Sequence, residues 1–354
     1  MFKFNSRIKL GEHIVSREAA ALLIAEIGVN HNGKMEIAKE MIKEAAKAGA
    51  DIVKFQTFNA DEFMADKDVK YAYKSGGKTI KEGMYSMFKR LELPVSWHIK
   101  LKEYCLRNKV QFLSTPCDRS AVDLLMKVGV SAFKISSEDL INIDLLEYVA
   151  GKNKPVILST GMAKSDEIDH ALNIFKRKGN KNLILMHCTS VYPTPEREVN
   201  LKRMVEISRR YDILSGFSDH SKGDLAAIAA VSMGAVIVEK HFTLGHQMKG
   251  PDHIFSSTPS EYKSMVDKIR LIERMKGKGG LGISPTEEKL RMLYRRSIVA
   301  GEDLEAGSRI ELKNLAYKRP GDGLRPMERY KLIGKKLKRN LKKNEKILIN
   351  DLSG

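Results

Sequence analysis

The chain has 354 residues, 42% hydrophobic and 30% charged, which is enough for a large core and too short for three ordinary domains. Its formal net charge of +18 suggests an anionic partner. No zinc-ligand spacing, RNP motif or aromatic platform accompanies the basic residues, so nucleic acid is set aside and the charge is read partly as steering for small anions. Cys105, Cys117 and Cys188 are scattered and form neither a disulfide framework nor a CxxC pair. No apolar run reaches the roughly 18 residues of a membrane helix, and MFKFNSRIKLGEHIVS lacks a signal-peptide core. The expectation is a cytoplasmic protein with no membrane contact.

Residues 1–20 pattern as a short β-hairpin. Apolar runs of strand length then recur: LLIAEIGVN (22–30), DIVKFQT (51–57), VQFLSTP (110–116), AFKISS (132–137), PVILSTG (155–161), NLILMHC (182–188), ILSGFSD (213–219) and VIVEKHF (236–242). Amphipathic stretches such as EIAKEMIKEAAKAG and SDEIDHALNIFKRKG lie between them, several closed by glycine. These βα units predict an α/β fold, a (β/α)8 TIM barrel over 1–274. The stretch 58–93 exceeds a loop and reads as an insertion or lid. Residues 275–290, with MKGKGGLG, read as a linker, and 291–354 as a small β-rich domain without a long helix. Within it, KKLKRNLKKNEK (335–346) is the only basic run.

Each barrel strand turns polar at its C-terminal end. The ends supply Glu26, Asn30 and His31, then Lys54 and Gln56, Ser114 and Thr115, Lys134 and Ser137, and Ser159 and Thr160. His187, Ser190 and Tyr192 follow, then Ser218, Asp219 and His220, and finally Glu239, Lys240 and His241. One such lysine usually snorkels to water, and one histidine usually sits satisfied in a core. Eight strands polar at the same end is different, because desolvated charge at a barrel mouth is costly unless it binds a ligand. His220 and His241 can place two imidazoles around a divalent metal with open positions, a Lewis acid rather than a structural site. Lys54 and Lys134, with the hydroxyls of Ser137, Ser159 and Ser218, suit a phosphate dianion. Lys134 can instead be a Schiff-base nucleophile. Glu26, Asp139, Glu239 and Asp252 are candidates to bind sugar hydroxyls or position water.

The ordered motifs AEIGVNHNG, DIVKFQT, LSTPCD, FKISSED, ILSTGM, HCTSVYPTP, GFSDH, EKHFT and KGPDH, with KRPGDG further on, resemble the sialic acid (nonulosonic acid) synthase family over nearly the whole chain. The resemblance implies a TIM barrel followed by a SAF (antifreeze-like, β-clip) domain that reaches over the partner's site in a domain-swapped homodimer. It implies condensation of phosphoenolpyruvate with an N-acylated hexosamine, with phosphate leaving by C–O cleavage. It also implies Mn or Mg on His220 and His241. Lys54, Thr115, Lys134, Ser137, Ser159, Ser190 and Ser218 would hold phosphoenolpyruvate. Glu26, Gln56, Tyr192 and Asp252 would meet the sugar, Arg319 of the other subunit its acyl group, and Asp139 or Glu239 would orient water. Cys117, Ser190 and SSED depart from the pattern of neuraminate synthases. N-acetylmannosamine is the first acceptor expected, a diacetamido-trideoxy sugar leading to legionaminate the second, and a pseudaminate precursor the third. A Schiff-base aldolase and a non-catalytic carbohydrate-binding protein are the readings from other classes.

Overall fold

The structure is a computed structural model in which residues 2–353 are described. The chain divides into two compact units, up to Gly277 and from Lys278 onward. In the first, an antiparallel hairpin, β1 (Arg7–Leu10) and β2 (His13–Ser16), precedes eight parallel strands. These are β3 (Leu22–Gly28), β4 (Ile52–Thr57), β7 (Gln111–Pro116), β8 (Phe133–Ile135), β9 (Val156–Ser159), β10 (Leu183–Cys188), β11 (Leu214–Asp219) and β12 (Ile237–His241). Between β4 and β7 stands a second hairpin, β5 (Lys70–Ser75) and β6 (Lys78–Gly83). The strand order is β7-β4-β3-β12-β11-β10-β9-β8, and β8 packs against β7 to bring the ends together. The result is a nearly closed TIM-type barrel, with all eight expected strands present.

Two apolar layers hold it. Ile24, Ile52, Leu113, Ile157, Ile184 and Ile237 fill the interior, and Ile8, Leu10 and Val15 of the first hairpin join them as a plug. Leu23, Val53, Phe112, Phe133, Leu158, Leu185 and Val238 point outward into the larger core shared with the helices. The pleat alternates faces, so each strand is apolar on both sides. Helix ends follow local chemistry: Asp118 accepts from the Ala121 amide at the start of Arg119–Val128, and Gly129 (φ +74°) ends that helix in a left-handed conformation.

The expected lid contains short helices Ala60–Phe63 and Met84–Leu91 flanking the β5–β6 hairpin. Its Ser75 hydroxyl accepts from the Gly250 amide at 3.1 Å. In the second unit, β13 (Ser297–Ala300) pairs with β14 (Leu315–Lys318), and β15 (Lys336–Leu337) with β16 (Leu352–Ser353). They enclose Ile298, Ile310, Leu332, Leu337, Leu341 and Ile347. One expectation needs correction here: the stretch expected as a linker to residue 290 already contains a ten-residue helix, Pro285–Tyr294. SPTE starts it: Ser284 accepts from the Glu287 amide, Glu287 reaches back to the Ser284 amide, and Pro285 sits in the first turn. No helix among the described residues is long and apolar enough to cross a membrane.

Candidate active site

Following each strand inward in steps of two from its apolar interior positions (one step on most strands, two from Ile184 and Leu214) gives the next layer toward the barrel mouth. That layer is Glu26, Lys54, Thr115, Lys134, Ser159, Cys188, Ser218 and Glu239, one residue per strand. All eight line one cavity of about 380 Å³, joined above by Gln56, Ser137, Ser190, Tyr192, His220, His241 and Asp252. The floor is a charge network. Lys54 Nζ lies 2.9 Å from Glu26 Oε2 and donates to Thr115 Oγ1 at 3.0 Å. Lys134 Nζ donates to Ser159 Oγ at 2.7 Å, and both lysines lie 3.7 Å from Glu239 Oε1. Gln56 donates to Glu26 at 2.9 Å, and Ser218 to Glu239 at 3.3 Å.

Burial and mutual charge separate the two lysines. Burial pulls Lys134 below the ordinary lysine value. It acts on Lys54 in the same direction, but Glu239 and Glu26 outweigh it and hold Lys54 above that value. Burial would raise Glu239, yet Lys134 and Lys54 keep it low and therefore ionised. Glu26 is raised, chiefly by burial. Asp252, 3.7 Å from His241 Nδ1, is pushed up to about 7 by burial and then by Glu26.

The His220 and His241 rings lie 5.5 Å apart, with Tyr192 against His220 at 4.1 Å. His220 Nδ1 lies 2.9 Å from the Thr189 carbonyl; a proton there donates to that oxygen and leaves the Nε2 lone pair on the cavity side, 3.5 Å from Ser218 Oγ. Glu239 Oε2 and His241 Nδ1 are buried without hydrogen-bond partners. Buried polar atoms are rarely left so unless a ligand or ion completes them. By donor chemistry two imidazoles and a carboxylate suit a divalent cation, although the ligand atoms of His220, His241 and Glu239 do not all lie within 4.8 Å of one another in this structure. Cys117, Glu138 and Asp139 do bring ligand atoms within 4.8 Å of one another. Burial, then Asp139 and Glu138, hold the Cys117 thiol well above its usual value, and a protonated thiol is a poor ligand.

Several strand-end residues expected at the mouth face the helices instead. His187 Nε2 meets the Val199 carbonyl at 2.7 Å, and Thr57 Oγ1 bridges Ser114 (2.7 Å) and His98 (2.9 Å). Lys240 pairs with Asp219 at 2.7 Å. Asn30 donates to the Phe242 carbonyl, Thr160 to the Met186 carbonyl, and His31 packs beside Phe55 and Trp97. Asn30 and His31 lie in the turn after β3, and the others sit one step out of phase with the inward residues of the pleat. Asp139 is held by Ser136 (2.8 Å) and Asn142 (3.2 Å), and Glu138 is the carboxylate that lines the cavity. Cys188 had not been expected in the site, although alternation from Ile184 and Met186 points it inward. Ser137 accepts from the Gly161 amide at 3.0 Å, and a Cβ at Gly161 would collide with the Ser137 and Ser190 hydroxyls. That glycine keeps the approach between them open. Arg319 belongs to the second unit, its guanidinium 5.4 Å from the Tyr294 ring centroid.

Residues 41–280 match the NeuB family and residues 295–353 the SAF domain. The chain is 41% identical to the N,N'-diacetyllegionaminic acid synthase of Campylobacter jejuni over 328 residues, covering 92% of this chain and 98% of that one. To the pseudaminic acid synthase of the same species it is 34% identical, covering 90% and 93%. A solved N-acetylneuraminic acid (sialic acid) synthetase from Leptospira borgpetersenii, in complex with citrate, superposes with a TM-score of 0.73 at 33% identity, covering 82% of this chain and 96% of that one. A barrel with this mouth, followed by a matching C-terminal domain, identifies the chain as a member of the NeuB family carrying a SAF domain.

Proposed function

We propose that the protein is a nonulosonic acid synthase that joins phosphoenolpyruvate to the open-chain form of an N-acylated amino sugar. The observation that carries this reading is the inward layer itself. Two buried lysines and a row of hydroxyls suit a phosphorylated enol acid, and they stand beside an imidazole–carboxylate set with unpartnered atoms. Lys54, Lys134, Thr115, Ser137, Ser159, Ser190 and Ser218 hold phosphoenolpyruvate through charge-assisted and hydroxyl hydrogen bonds. Glu26, Gln56, Tyr192 and Asp252 meet the sugar. His220 and His241 would hold Mn or Mg, which when bound supplies Lewis-acid polarisation of the acceptor carbonyl.

In the reaction, C3 of phosphoenolpyruvate bonds to the aldehyde carbon, and the aldehyde oxygen gains a proton. Water adds at C2 and loses one proton; phosphate then departs with the C2–O bonding pair as the new C2 hydroxyl gives up its second proton, leaving the ketone. Lys54 and Lys134 balance the phosphate charge throughout, and ionised Glu239 lies within reach to orient the water and take its proton. Arg319 of the partner subunit contacts the sugar's acyl group in a homodimer. Release of phosphate from phosphoenolpyruvate that depends on an N-acylated amino sugar, with a nonulosonic acid in the product, tests the reaction. Phosphate release without an acceptor, or none with any acceptor, overturns it. For Arg319, Arg319→Ala and His241→Ala proteins refolded together should regain activity in mixed dimers; no gain over the separate parents removes the shared site.

The lowered pKa of Lys134 favours one second reading, a Schiff-base aldolase. Borohydride with pyruvate would then leave a pyruvyl adduct on Lys134 by mass spectrometry. The synthase reading expects none.

A further inference from the structure

The barrel strands do not supply the whole cavity. Residues 58–93, inserted between β4 and β7, line it with Phe58, Phe63, Met84, Met87, Phe88 and Tyr71. The first five carry no N–H or O–H. Tyr71 is therefore the one hydrogen-bond donor that the side chains of this segment bring to the cavity, and the chemistry above gives it no task.

Its position is built. Tyr71, Tyr73 and Ser75 alternate along β5 and so share one face of the hairpin. Ser75 is buried and accepts from the Gly250 amide at 3.1 Å, two residues before Asp252. Tyr73 packs against the small core of Phe58 and Met87 and donates to Glu82 at 2.7 Å. Arg90 grips that same carboxylate with two bonds, at 2.8 and 2.9 Å. Tyr71 stacks on the Tyr73 ring, with centroids 5.9 Å apart and planes 24° from parallel. The ring is thus supported from behind while its exposed part lines the cavity. A side chain with two torsions, already supported in this way, gives up little freedom on meeting a ligand. Partial burial, then the Asp252 carboxylate, hold the phenol above its ordinary value, so it keeps its proton and can donate.

Phosphoenolpyruvate is held by the strands themselves, on the cavity floor. A donor carried by the inserted hairpin meets what lies above that floor, which is the sugar. We infer that Tyr71 is an acceptor-binding residue, its hydroxyl donating to an oxygen of the N-acylated sugar, and that the hairpin's ties to Gly250 and Arg90 hold it there. This rests on the synthase reading and deepens it.

The test follows phosphate release with phosphoenolpyruvate and whichever of N-acetylmannosamine and a diacetamido-trideoxy sugar is turned over, varying each substrate in turn. Tyr71→Phe keeps the ring and its stack on Tyr73 and removes only the hydroxyl. The acceptor KM should rise about 2- to 10-fold, the scale of one neutral hydrogen bond, with kcat and the KM for phosphoenolpyruvate near the wild type. A tyrosine that only packs would move neither constant. Thermal melting checks that the variant is folded. An unchanged acceptor KM, or a KM for phosphoenolpyruvate that rises in step with it, overturns this inference and leaves the synthase reading standing. No phosphate from the unmodified protein with either sugar overturns both readings together.

Discussion

Glu239, Lys240 and His241 are consecutive in one strand, yet they belong to two different regions of the molecule. Lys240 faces the helices. Its amine donates to Asp219 at 2.7 Å and to the Ser221 carbonyl at 2.9 Å, and Asp219 in turn accepts from the Ser221 amide and hydroxyl. Every charge there has a partner. Glu239 and His241 face the barrel axis, where Glu239 Oε2 and His241 Nδ1 have none, and the nearest ammonium groups stand 3.7 Å from the other Glu239 oxygen. The same contrast separates His187, tied to Val199, from Cys188 beside it in the cavity. Closed polar sets hold the barrel together. Open ones are what a ligand would complete.

Substitution should divide the two regions by what it costs. Lys240→Met strands Asp219 as a buried charge, and the loss of stability should be about 3–5 kcal/mol, read as a shift of the urea midpoint. A shift below ~1 kcal/mol would mean that the outward set is not the structural one. His241→Ala should reduce turnover by roughly 10²–10³-fold, the scale of losing an electrostatic stabiliser at the reacting oxygen, while the melting temperature stays near the wild type. A chelator should do the same to the unmodified protein, and Mn or Mg should reverse it. Full activity in metal-free protein would break the comparison at its centre.

Lys134→Met should weaken phosphoenolpyruvate binding by ~1.5–3 kcal/mol, the cost of one hydrogen bond to a charged group. Sugar binding should change little, and calorimetry of each ligand separates the two. Folding stability should hold or rise, because Lys134 is already pulled toward its neutral form by burial. Loss of the fold would place Lys134 with Lys240 instead. A further prediction concerns Asp252, whose carboxyl is raised from 3.8 to about 7. A raised carboxyl binds its proton more tightly in the folded state. Its contribution is therefore fully present below about pH 4 and lost as pH rises through about 7. In metal-free protein, Asp252→Asn should flatten the decline of the urea midpoint between these values. An unchanged profile would mean that Asp252 titrates as it does in the unfolded chain.

Much of this could be read from the chain itself. Eight apolar runs spaced by helical patterns leave few architectures other than a barrel, since nearly continuous apolar strands need covering on both faces. The polar ends of those runs located the mouth, and residue type alone singled out the two lysines and two histidines. The SPTE signal at 284–287 is also present, but the glycine-rich stretch immediately before it masks it. What the strands could not declare was their phase. In LLIAEIG and LILMHC both faces are apolar, so no visible alternation tells whether Glu26 or Ala25, Cys188 or His187, points to the axis. That is decided by closure of the sheet around the Ile24–Ile52–Leu113–Ile157–Ile184–Ile237 layer, which turns Glu26, Lys54, Thr115, Ser159, Cys188 and Glu239 beyond it into one cavity. The Phe58–Phe63–Phe88 cluster at the edge of the cavity is likewise tertiary. Phe58 and Phe88 are thirty positions apart and become one surface when their segment folds back over the mouth, because only there can their rings bury one another.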